Sequence, residues 1–165
     1  APTCLDCHGG AHTIVPASEP ESVLFKTKEP DVCLKCHLNN PQVRAEVGLS
    51  AGFINGYKES IHGMTLASGN LKAASCSDCH GAHDILRVTD PRSHLSRANV
   101  VGTCQKCHPG ATRRFAGYLT HATHHDPKRY PALFFAFWGM TSLLIGTFVV
   151  AGLHTFAWLP RSLAE

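Results

Sequence analysis

Outside four short stretches this chain of 165 residues contains no cysteine. A disulfide framework is not expected, because only two residues separate each cysteine from its nearest fellow and so short a loop staples little. Methionine is nearly missing: Met64 and Met140 are the two. Aromatic residues make up 8% of the chain, too few for a large conventional core. The 15 basic and 12 acidic residues almost balance, and the basic ones are scattered. That pattern lacks the clustered positive footprint of a nucleic-acid binder, so no nucleic-acid partner is expected. No leader precedes the first cysteine, which has only Ala1, Pro2 and Thr3 ahead of it. The amino terminus is therefore expected to be processed or truncated, and the chain to be one piece of a larger protein.

All eight cysteines stand in four Cys-x-x-Cys-His motifs: Cys4, Cys7 and His8; Cys33, Cys36 and His37; Cys76, Cys79 and His80; Cys104, Cys107 and His108. This spacing attaches c-type haem. The two sulfurs form thioethers to the porphyrin, and the adjacent imidazole reaches the iron. Zinc is the alternative, since eight cysteines could build two four-sulfur sites. Zinc leaves the histidine after every pair without a purpose. The cofactors expected are four covalent haem c groups.

The motifs are duplicated. Cys4-x-Asp6-Cys7-His8-Gly9-Gly10-Ala11-His12-Thr13-Ile14 matches Cys76-x-Asp78-Cys79-His80-Gly81-Ala82-His83-Asp84-Ile85 with one residue inserted, and each is followed by a motif with lysine before its second cysteine, Lys35 and Lys106. Two di-haem modules are expected, 1–52 and 53–125. Pro16, Pro20, Pro30, Pro41 and Pro91 break up long helices. The fold class expected is mainly α with extensive coil: short helices on the motifs, another over residues 56–69, and a core centred on haem. Residues 126–131 form a linker.

Positions 132–159 hold no Asp, Glu, Lys or Arg. About 20 apolar residues suffice to cross a bilayer, so a single transmembrane helix is expected, with Trp138 and Trp158 near its ends and a cytoplasmic tail, possibly truncated, at 160–165. Covalent haem attachment takes place outside the inner (cytoplasmic) membrane, which puts the haem domain on the periplasmic or cell-exterior side. The positive-inside rule points the other way, because Arg113, Arg114, Lys128 and Arg129 precede the helix and only Arg161 follows it. The site of haem assembly is a requirement and the charge bias a statistical preference, so the former decides.

Each iron takes one histidine from its motif, His8, His37, His80 or His108. Two methionines cannot supply four sixth ligands, and bis-histidine ligation with low potentials is expected. His12 and His83 occupy matching positions after a motif, too near to close their own haem, and are expected to reach a neighbouring one. His62 and His121 complete the set, with His124 the rival of His121. His154 is the one histidine inside the apolar run, which makes it a candidate ligand of a b-type haem shared with another helix or subunit, or a quinone-site residue; a helix-end histidine near the interface is the alternative.

Ser60-Ile61-His62-Gly63, the third motif through Ile85, and Thr103-Cys104-x-Lys106-Cys107-His108 resemble exported multihaem cytochromes of bacterial respiratory chains. The stretch 118–121, Tyr130-Pro131 and Gly152-Leu153-His154-Thr155-x-x-Trp158-Leu159-x-Arg161 are similar to a subset in which the c-haem domain is joined to a membrane cytochrome b that exchanges electrons with quinone. The similarity covers about 53–162, and the chain departs from it by stopping after one helix. It implies the quinone pool or a membrane cytochrome b as one partner and an exported cytochrome or terminal reductase as the other. Electron transfer is the function expected. A reductase of nitrite, hydroxylamine or a sulfur oxyanion is the alternative and needs one haem with an open sixth position; a haem filament is opposed by the membrane helix.

Overall fold

The computed structural model describes residues 2–117 and 121–162, with side chains through Leu159. Tyr118 and Thr120 of the 118–121 match, the Arg161 side chain and the end of the tail from 163 lie outside the described residues. The chain is 52% helical with no strand among the described residues, and it divides into two compact units, Ala1–Ala122 and Thr123–Glu165.

The first unit contains α1 (Cys4–His8), α2 (Glu29–His37), α3 (Pro41–Val47), α4 (Ala51–Glu59), α5 (Ile61–Ala67), α6 (Cys76–His80) and α7 (Val100–Gln105), then a 3-10 turn at Phe115–Gly117. The duplication seen in the sequence recurs bond for bond. Asp6 reaches back to the Thr3 N–H at 2.7 Å, and Asp78 to the Ser75 N–H at 2.8 Å. Each carboxylate starts its five-residue helix by satisfying an otherwise orphaned donor. Gly9 and Gly81 end these helices at φ +86° and +78°, a conformation other residues resist. Further on, buried Ser22 and Ser93 accept from the N–H of Leu24 and Leu95, both at 3.2 Å. Lys28 and Asn99 are chemically different, yet each donates to the carbonyl of the equivalent proline, Pro20 or Pro91, at 2.6 and 2.9 Å. A succession of tight turns therefore replaces regular structure between the two motifs of each copy.

Residues 38–74 intervene between the copies and have no duplicate. Asn40 caps α3 by accepting from the N–H groups of Gln42 and Val43 at 3.0 and 3.2 Å, and Ser50 caps α4 through the Phe53 N–H at 3.1 Å. The single helix expected over 56–69 is instead two. Ser60 is extended (ψ 160°), its hydroxyl donating to the Tyr57 carbonyl at 2.7 Å and accepting from the Gly63 N–H at 3.2 Å. One residue thus ends α4 and caps α5. A helix for the fourth motif also falls short: α7 stops at Gln105, and Cys107 and His108 follow in a turn. Pro109 explains this, because a residue before proline is driven from the helical region.

The polypeptide builds little core of its own. The buried apolar side chains of this unit are Leu34, Ile54, Tyr57, Leu66, Ala73 and Ala111, matched by buried Ser22, Glu29, Ser60, Ser75, Ser93 and Ser96. Leu5, Ile14, Val23, Ile61, Met64, Ile85 and Phe115 are exposed.

In the second unit, Asp126 accepts from the Arg129 N–H at 3.0 Å, and α8 runs Pro131–Ser162. Pro131 fits the first helical position, where its missing N–H costs nothing. Within Pro131–Leu159 an 18-residue window has a mean hydropathy of 2.0, and none of that window is buried. The whole segment of 29 residues extends about 44 Å at ~1.5 Å per residue, more than the ~30 Å of a bilayer core. It is long and apolar enough to cross a membrane once.

Candidate functional site

The cysteines lie on the short helices just described, except Cys107 in the turn after α7, and are free of disulfides. Among the described residues, no cluster of metal-ligating groups holds more than two cysteine sulfurs. A structural zinc site of the four-cysteine kind needs twice that number.

The histidines pair instead. His8, at the end of α1, faces His83 with ring centres 6.0 Å apart and planes 11° from parallel. His62 on α5 approaches His108 at 6.0 Å with the planes tilted by 47°, and His80 on α6 approaches His121 edge-on at 6.2 Å with the planes at 65°. Two imidazoles on opposite sides of one metal, each bonded at about 2 Å and with its ring centre about 1.1 Å beyond the nitrogen, have centres about 6.2 Å apart. Direct ring stacking is closer, as His124 on Phe137 at 3.7 Å illustrates. Each 6 Å pair joins one motif histidine to one histidine from outside the motifs, and His83 crosses from one copy of the repeat to the other. His12 and His37 form no ring contact among the described residues, and His12 lies exposed. His94 binds Asp84 at 3.1 Å rather than another imidazole. His154, on α8, lies beside Trp158 at 6.3 Å.

The surroundings keep two of these rings, His62 and His80, in a donating state. Burial, and then the neighbouring His108, holds His62 below the ordinary histidine range. Burial does the same to His80, followed by His121 and His37. A neutral imidazole keeps a lone pair for a metal. The His62 Nδ1 atom is buried with no hydrogen-bond partner, an arrangement proteins rarely tolerate without a use. His121 has its Nδ1 3.1 Å from the Phe53 carbonyl. A proton on Nδ1 donated there leaves Nε2 as the ligating atom.

Three positioning residues carry no sequence signature. Gly56 lies so close to His121 that an added Cβ would meet the His121 carbonyl oxygen and come within 2.6 Å of its carbon. Tyr57, buried on α4, donates to the Ala74 carbonyl at 2.9 Å and so holds the start of α6. Glu29 is buried and binds Ser75 and Ser77. The donor set as a whole suits a large apolar group with two axial positions: eight cysteines for attachment, facing imidazoles at the right separation, and a core short of apolar side chains. The chain matches no known family model, no curated protein and no solved structure.

Proposed function

We propose that this chain is a membrane-anchored tetrahaem cytochrome c that carries electrons between the membrane quinone pool and an exported redox partner. The observation that supports it most is the facing of three motif histidines by three outside histidines at 6.0–6.2 Å. Haem iron, when bound, supplies the one-electron redox change, and the protein contributes attachment, ligation and electrostatics. Cys4 and Cys7 would hold one haem between His8 and His83, Cys76 and Cys79 a second between His80 and His121, and Cys104 and Cys107 a third between His108 and His62. Cys33, Cys36 and His37 would hold the fourth, for which His12 is the remaining histidine in the ligand set. Two imidazoles per iron leave no position for a substrate and favour a low potential, suited to exchange with quinol.

The orientation follows from chemistry: haem is attached outside, so the first unit faces the periplasm and α8 anchors it to the inner membrane. His154 serves a b-type haem or a quinone, and the b-haem role needs a second histidine from another helix. The second reading is a reductase of nitrite, hydroxylamine or a sulfur oxyanion. One observation favours it: His37 has no facing imidazole among the described residues, so its iron is the one an exogenous ligand could reach.

A pyridine haemochrome spectrum with the intact mass of the detergent-solubilised protein tests the proposal. Four haem c per chain and a wholly low-spin ferric spectrum are expected. One high-spin haem of four selects the reductase, additional b haem assigns His154, and free thiols with no haem overturn both readings.

A further inference from the structure

A buried network joins the two copies of the repeat. Glu29, in the first turn of α2, is only 9% exposed. Its Oε1 accepts from the Ser77 N–H at 2.7 Å, and its Oε2 accepts from the Ser75 and Ser77 hydroxyls at 2.8 and 3.0 Å. Both serines open α6, 46 and 48 residues further along the chain. The network continues outward, where Ser75 binds Asp78 at 3.1 Å and Asp78 binds Lys26 at 3.0 Å. Among the described residues Glu29 has no cation beside it. Its carboxylate oxygens are satisfied by hydrogen-bond donors from the two serines. The equivalent position in the second copy is Val100, so the repeat itself does not require this charge.

What the charge does touch is chemically particular. The Glu29 carboxylate and the sulfurs of Cys33 and Cys76 all lie within 4.8 Å of one another. Cys33 belongs to the second motif and Cys76 to the third. With thioethers on both sulfurs, the two attachment points would lie side by side next to this carboxylate.

We infer that Glu29 is the junction residue between the second and third haems: it holds Cys33 and Cys76 side by side, and its charge lowers the potentials of the two haems attached there. The inference rests on the proposed haem ligation. Oxidation adds one positive charge at iron, and a nearby anion shielded from water favours the oxidised form. The polar contacts have a second effect, in that they tie α2 to α6 and fix the spacing of the two sulfurs.

The test compares the purified full chain with its Glu29→Gln, Glu29→Asp and Lys26→Met variants. Haemochrome and intact mass come first: a native protein without haem refutes the proposed function and is thereby distinguished from a failure of this inference. Spectroelectrochemical titration follows. Glu29→Gln keeps the shape and most of the hydrogen bonds but removes the charge. Two of the four potentials are expected to rise, changing the oxidised-to-reduced ratio about tenfold at fixed potential, about 59 mV for a one-electron couple. The other two hold. Glu29→Asp keeps the charge and is expected to stay near native. Lys26→Met removes the cation at the outer end of the network and is expected to lower the same two potentials. Four unchanged potentials in Glu29→Gln, an equal rise in all four, or an Asp variant that behaves like the Gln variant overturns the inference. If Glu29→Gln does not load haem, the Lys26→Met shift decides: a fall confined to two haems upholds it, and no shift overturns it.

Discussion

Replacing Gly56 by alanine sets two effects against each other. Glycine inside a helix costs about 0.5–1 kcal/mol relative to alanine, so α4 alone would gain from the change. Against this, the new Cβ would meet the His121 carbonyl oxygen and lie 2.6 Å from its carbon and 3.0 Å from its Cα. Non-bonded carbons settle at about 3.5–4.0 Å, so one side must yield by about 1 Å. α4 is held by the buried Ile54 and Tyr57, which leaves His121 to move. Overpacking of this kind costs about 1–3 kcal/mol, more than the helix gains. The same displacement breaks the 3.1 Å contact of His121 with Phe53. It also exceeds the roughly 0.2 Å tolerance of a metal–ligand bond. On the proposed ligation, the haem held by Cys76 and Cys79 should lose its sixth ligand. Low-temperature EPR of the ferric protein reads this as a high-spin signal from one haem, and the denaturant midpoint should fall. His121→Ala should give the same EPR signal. A Gly56→Ala protein that stays wholly low-spin with an unchanged midpoint refutes the reasoning.

His83→Ala should open the haem of the first motif, although the substitution lies beside the third; adding Cys4→Ala and Cys7→Ala should abolish the new high-spin signal, and its persistence would place His83 elsewhere. Ser60→Ala removes the hydroxyl that caps α5 and should cost about 1 kcal/mol, read as a lower denaturant midpoint. Leu144→Arg puts a charge at mid-span of α8 and should cost about 3 kcal/mol of insertion, measured as a reduced membrane-integrated fraction on carbonate extraction. Hydrogen bonds from the Arg92 side chain and backbone hold Asp90 down to about 2. Stability from this turn should therefore be complete above the ordinary aspartate value of about 3.9 and be lost as pH falls toward 2. Arg92→Ala removes the side-chain bonds and keeps the backbone one, so it should move the Asp90 carboxyl titration, followed by NMR, upward toward the ordinary range.

The duplication was legible because capping boxes and glycine stops are local: Asp6 and Asp78 act on residues three positions away. The apolar span was legible because composition alone decides it. The break at Ser60 was not, since Ser, Ile, His and Gly are each tolerated in a helix, and only the approach of Gly63 to the end of α4 shows why the chain must turn. Distal histidines could be nominated from the matching positions of His12 and His83, but their partners depend on how the copies sit together. Glu29 escaped notice for a similar reason. In Lys26-Thr27-Lys28-Glu29 it reads as part of a solvated charged stretch, and its burial follows from serines that a linear reading does not bring near. Gly56 carries its reason in a contact with residue 121, which has no local trace.

The facing of His8 and His83 has a consequence for assembly. His83 follows His8 by 75 positions, which at ~5–20 residues per second takes about 4–15 s to synthesise. On the proposed ligation the motif at Cys4 and Cys7 receives its second ligand only after the third of these four motifs has already passed. During that interval its iron is open to any small ligand or oxidant in the export compartment. Whatever delivers haem or shields the emerging chain therefore has an interval to cover at Cys4 and Cys7.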